Sequence, residues 1–86
     1  MALFPILSNF ERDFVIQLVP VDTDDTMDKV AEKCAYHSIN RRVRPQPDKV
    51  LRVRHHENKT VFPRDMKVAD AGLRPTECLD IIFSDN

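Results

Sequence analysis

The side chains able to do chemistry here are few: Cys34 and Cys78, His37, His55 and His56, and the carboxylates near them in sequence. A di-iron site in a helical bundle needs several carboxylates and Glu-x-x-His pairs projecting from facing helices. Here Glu32 and His37 stand five residues apart on one helical stretch, so they diverge rather than converge. His55 and His56 beside a cysteine suggest zinc, yet adjacent strand residues face opposite sides of a sheet, and no CxxC or HxxxH spacing occurs. Nucleophilic catalysis requires a thiolate near a histidine and an oxyanion site. Cys34 falls on an apolar helix stripe, where free cysteine behaves as a small hydrophobe. Cys78 lies beside Glu77 and Asp80, whose charges oppose thiolate formation. The expectation is a chain with no catalytic residue, no metal ligand and no cofactor of its own.

At 86 residues, one core must hold everything together, so one domain over residues 1–86 is expected. A hydrophobic content of 42% with 31% charged residues is that of a folded chain, and no apolar run approaches the length of a membrane span. Thirteen Lys and Arg against fourteen Asp and Glu leave a net charge of −1, which provides no overall attraction to nucleic acid or an anionic membrane. The single glycine, Gly72, excludes a Gly-rich phosphate loop. The start, Met1-Ala-Leu-Phe-Pro-Ile-Leu, lacks the positive region and cleavage site of a secretory signal, so a cytoplasmic address with reduced cysteines is expected.

Two apolar runs, Leu3 to Leu7 and Phe14 to Val21, flank a polar stretch and read as a hairpin. In the second run Phe14, Ile16 and Leu18 alternate with Val15, Gln17 and Val19, and the lone polar member assigns the Gln17 set to the outer face. A helix follows, with Thr26 as N-cap, an apolar stripe of Met27, Val30, Ala31, Cys34 and Ser38, and a stop near Asn40. Prolines extend the connection from Arg41 to Asp48. Val50 to His55 reads as a third strand with Arg52 and Arg54 outward, Thr60 to Phe62 as a short fourth, Met66 to Ala71 as a helical turn, and Glu77 to Phe83 as a fifth strand.

This α+β order, ββαββ(short helix)β, resembles the β-grasp or ubiquitin-like fold, in which a mixed sheet packs on one main helix. The ending Phe83-Ser84-Asp85-Asn86 lacks the Gly-Gly of a conjugated modifier, and Arg52 and Arg54 replace its apolar docking patch. A more specific resemblance is carried by Asp13-Phe-Val-Ile-Gln-Leu-Val, Val30-Ala-Glu-Lys-Cys-Ala-Tyr-His, Asn40-Arg-Arg-Val, Val53-Arg, Phe62-Pro-Arg-Asp-Met and Gly72-Leu-Arg-Pro-Thr-Glu. Together these are similar to the small gamma subunits of bacterial toluene monooxygenase hydroxylases, nearest the toluene/o-xylene monooxygenase branch.

The resemblance implies a non-catalytic, structural and assembly subunit in a complex with two copies each of alpha, beta and gamma chains. It places a carboxylate-bridged di-iron centre, which activates O₂ and hydroxylates the aromatic ring, in the alpha chain. It also implies a reductase, a Rieske ferredoxin and an effector protein as working partners, and carries no iron ligand over to this chain. The alternative is a free-standing ubiquitin-like adaptor or carrier without a Gly-Gly tail.

Charge and exposure suggest where partners dock. Residues 41 to 54 hold six Arg or Lys against Asp48 alone, and arginine is enriched at protein interfaces; without interleaved aromatics this stretch does not suit nucleic acid. Strand one is apolar on both faces, and Val15, Val19 and Ile82 are expected on the side away from the helix. The expected partner-binding set is therefore Phe4, Val15, Val19, Arg41, Arg42, Arg52, Arg54, Asp80 and Ile82, an apolar patch with an arginine rim.

Overall fold

The computed structural model describes residues 2–13, 15–39, 43–44 and 46–85. Strands β1 (Leu3–Phe10), β2 (Gln17–Asp22), β3 (Val50–His55) and β4 (Cys78–Ser84) form one mixed sheet, and α1 (Met27–Ser38) lies across one face of it. The strand order is β2-β1-β4-β3, with β1 and β4 parallel at the centre and antiparallel neighbours outside them. β1 runs three residues further than its apolar stretch, because Ser8, Asn9 and Phe10 continue the ladder against β4. Pro5 is tolerated in this central strand because pairing with β4 begins only at Leu7, while Pro20 sits on the outermost strand.

The helix begins where its cap chemistry says it should. Thr26 Oγ1 accepts from the Lys29 N–H at 3.3 Å. Two further N–H groups of the first turn donate to the loop that follows β3, Met27 to the Met66 carbonyl at 2.9 Å and Asp28 to the Arg64 carbonyl at 3.1 Å. Arg64 Nε also meets both Asp28 carboxylate oxygens, at 2.9 and 3.0 Å. The Phe62-Pro-Arg-Asp-Met segment thus closes the helix N-terminus. At the other end the Ile39 N–H donates to the Ala35 carbonyl, one residue short of the expected stop at Asn40, which lies outside the described residues.

Met27, Val30, Ala31 and Cys34 from α1 meet Ile6 and Phe10 from β1, Val19 and Val21 from β2, Val53 from β3 and Leu79 and Ile81 from β4 in one buried cluster. The expected helix stripe is buried along its length, including Ser38, whose hydroxyl donates to Asp13 Oδ2 at 2.8 Å. Two expectations are corrected. Residues 60–62 do not form a strand: Val61 makes one isolated bridge to Arg54, because the tight turn at 56–58 and Pro63 leave no length for a ladder. The faces of β2 are also reversed, since Val19 and Val21 are buried under α1 while Ile16 and Leu18 are 56% and 61% exposed. Gln17 opens the strand, half-buried at its end, so its polarity reports the strand terminus rather than the solvent face.

Candidate docking face

The sheet face opposite α1 has no element packed across it among the described residues. Alternation and register place Leu3, Pro5, Leu7 and Asn9 of β1, Leu18 and Pro20 of β2, Cys78, Asp80 and Ile82 of β4, and Arg52 and Arg54 of β3 on that face. It divides into two halves. On the β2/β1 half the cross-strand partners are Leu7 with Leu18 and Pro5 with Pro20, and Leu3 beside them is 78% exposed. With Ile16 just before β2, this is a contiguous apolar strip in water.

The β4/β3 half is polar and closed around one carboxylate. Asp80 is only 2% exposed. Its Oδ2 accepts from Arg54 Nε at 3.1 Å and Nη2 at 2.8 Å, with Lys59 Nζ at 3.6 Å. Its Oδ1 accepts from Asn9 Nδ2 at 2.9 Å and meets His56 Nδ1 at 2.7 Å. Burial pushes the Asp80 carboxyl up, but the hydrogen bonds of His56, Asn9 and Arg54 together outweigh it and hold the group at about 2. At the end of β3, His55, paired with Leu79 and not with Asp80, brings Nε2 to Glu77 Oε2 at 2.6 Å, and the Arg74 N–H, ahead of His55, keeps the Glu77 carboxyl below its ordinary range.

The structure redistributes the expected partner-binding residues. Arg52, Arg54 and Ile82 do stand on the outer face, with Ile82 paired to Arg52 across the ladder. Phe4 and Val19 are on the opposite face, Phe4 packed against the core and Val19 1% exposed within it, because α1 covers that side of the β1/β2 hairpin. Val15 is half-buried ahead of β2, its N–H donating to Asp13 Oδ1 at 3.0 Å. Asp80 faces outward but is covered by its own ion pairs. Arg41 and Arg42 lie outside the described residues. Sequence reasoning missed Leu18 and Ile16; the signal was present in Val19-Pro20-Val21, two valines of one face separated by a proline.

Neither cysteine is poised as a nucleophile. Burial pushes the Cys34 thiol up to about 11, and burial with the Asp80 charge raises Cys78. His56, Cys78 and Asp80 nevertheless place three possible metal donors together, which their sequence spacing did not announce.

Residues 3–83 match the family model described as toluene-4-monooxygenase system protein B (TmoB). The chain is 53% identical over 85 residues to the gamma subunit of the toluene-4-monooxygenase hydroxylase component of Ectopseudomonas mendocina, covering 99% of this chain and all of that protein. A shorter match, 55% identical over 47 residues, spans 55% of this chain and 53% of the gamma subunit of the alkene monooxygenase oxygenase component of Xanthobacter autotrophicus. Among solved structures, a chain of the toluene 4-monooxygenase HD complex with 4-bromobenzoate superposes with a TM-score of 0.92 at 53% identity, over 96% of this chain and 100% of that one. A structure illustrating molecular mimicry of SUMO superposes at 0.69 with 10% identity, over 95% and 92% of the two chains, a likeness of fold alone that agrees with the β-grasp arrangement. With residues 3–83 matched by the family model and 53% identity to a full-length gamma subunit, the chain belongs to the toluene-4-monooxygenase system protein B family, the small gamma subunits of monooxygenase hydroxylases.

Proposed function

We propose that this chain is a non-catalytic gamma subunit that supports the assembly of an aromatic monooxygenase hydroxylase by docking its outer sheet face on the large alpha chain. In this reading residues 1–86 act as one β-grasp domain in a two-of-each αβγ complex. The oxygen-activating di-iron centre belongs to the alpha chain, and the complex works with a reductase, a Rieske ferredoxin and an effector protein in the bacterial cytoplasm. No helix among the described residues is long and apolar enough to cross a membrane.

The observation that carries the docking assignment is the apolar strip of Leu3, Ile16 and Leu18 on a face that α1 does not cover. A domain living free in water normally solvates the open face of a two-layer sheet. Strand propensity does not explain Leu3, Leu18 and Pro20, since leucine and proline are not the β-branched residues that strands select, and Ile16 stands ahead of β2 rather than in it. Pro20 lacks the N–H that edge-to-edge strand addition would use, so the partner is met by the face and not by the β2 edge. Ile82, Arg52 and Arg54 flank the strip as a mixed rim.

Co-expression of the tagged chain with its genomic neighbours, followed by native mass spectrometry, tests the assignment. Recovery with two larger chains, two copies of each, with iron lost when the alpha chain is omitted, is the expected result. Elution as a folded monomer without those chains overturns it.

A further inference from the structure

The polar half of the outer face holds an arrangement that assembly does not require. His56, in the turn after β3, and Cys78 and Asp80, alternate residues of β4, bring an imidazole nitrogen, a thiol sulfur and a carboxylate oxygen within 4.8 Å of one another. We propose that these three side chains form a zinc site that pins the β3 turn to β4, with water at the fourth position.

The donor set selects the metal. Nitrogen, sulfur and oxygen together suit zinc, whereas magnesium and calcium ask for oxygen alone. The backbone already fixes the three positions. Cys78 and Asp80 share one face of β4 by the two-residue period, and the His56 N–H donates to the Cys78 carbonyl at 3.3 Å, which ties the histidine's turn to the cysteine's strand. Around the carboxylate stands the kind of shell that orients a metal ligand: Arg54 grips Oδ2 with two nitrogens, and Asn9 donates to Oδ1. An open cavity of about 520 Å³, lined by residues including His56, Lys59 and Cys78, provides the way in.

Binding requires two small changes. Tetrahedral zinc holds its donors roughly 3.3 to 3.8 Å apart. The His56 Nδ1 to Asp80 Oδ1 contact of 2.7 Å must therefore open, and His56, half exposed on a turn, is free to move outward. Lys59, more exposed still, swings off Asp80. The thiol S–H bond breaks, its proton passes to water and a sulfur–zinc bond forms in its place. Thiolate and carboxylate then offset most of the added charge while Arg54 stays on Oδ2, and no oxidant or reductant is involved.

The full chain, reduced and stripped of metal, is titrated with cobalt alone and then with zinc. One cobalt per chain with a thiolate-to-metal charge-transfer band, displaced by zinc, is expected. Cys78→Ser should abolish the band, and His56→Ala should weaken zinc by about tenfold or more while circular dichroism stays native, since His56 lies on an exposed turn. Absence of the band at stoichiometric cobalt, or zinc affinity unchanged in His56→Ala, overturns the site. The readout is made on the isolated chain, so it is independent of whether the hydroxylase binds.

Discussion

On the β2/β1 half of the outer face, Leu3, Leu18 and Pro20 stand in water; on the β4/β3 half, Asp80 is sealed beneath Arg54, His56, Lys59 and Asn9. Both halves belong to the same twisted sheet and neither is covered by α1. The difference lies in side-chain reach. A short carboxylate on a central strand is within range of long cations from β3 and its turn, which can fold over it and keep their own charges wet. The hairpin half presents short apolar groups on both strands, which cannot fold over one another in this way. One half satisfies itself, and the other awaits another surface.

Charge placed in the apolar strip separates the two halves most sharply. Leu3→Asp combined with Leu18→Asp should abolish recovery of the hydroxylase complex in the co-expression experiment while changing the chain's own stability by no more than about 0.5 kcal/mol, as exposed substitutions do. Arg52→Asp with Ile82→Asp, in the mixed rim, should lower recovery of the complex less than the leucine pair does; a larger loss there than in the strip would move the centre of docking to the β4/β3 half.

Asp80→Ala attacks the self-satisfied half instead. Removing the one anion among Arg54, His56 and Lys59 should cost about 3 kcal/mol by urea denaturation, the low end for breaking a buried pair because the stranded cations can reach water. The same ion cluster predicts an acid response. The Asp80 carboxyl sits at about 2 in the folded chain, below its unfolded value, so its contribution is complete above about pH 4 and disappears as pH falls toward 2. That contribution is about 2 kcal/mol. Stability measured across this window should fall less steeply in Asp80→Asn than in the native chain.

Thr26→Ala is the smallest effect and the control. Loss of the cap bond to Lys29 should lower stability by about 1 kcal/mol without altering assembly, because α1 lies on the sheet face opposite both halves. A drop in complex recovery as large as that of the leucine pair would mean that assembly tracks global stability and not the strip.

Much of the fold could be read directly. Thr26 as cap and the stripe from Met27 to Ser38 follow from helix geometry, and both are present. The outward placing of Arg52, Arg54 and Ile82 follows from alternation with Leu51, Val53 and Ile81. The faces of β2 could not be read in the same way. Phe14 to Val21 is apolar in both of its alternating sets, and its one polar residue, Gln17, lies at the strand end, so only packing against α1 decides which set is buried. Val61 likewise has strand chemistry but too little chain on either side to build a ladder.

By itself, the sequence determined what short-range geometry controls: the helix and its ends, the alternation of β3 and β4, and the motifs by which the family is recognised. The tertiary structure decided which side of the β1/β2 hairpin meets the helix, that Asp80 is buried and not a rim charge, and that His56 meets Cys78 across 22 residues of chain. The reason is physical. Periodicity is set by backbone dihedrals within a few residues, whereas burial and the meeting of side chains depend on strand register and on which face another element covers.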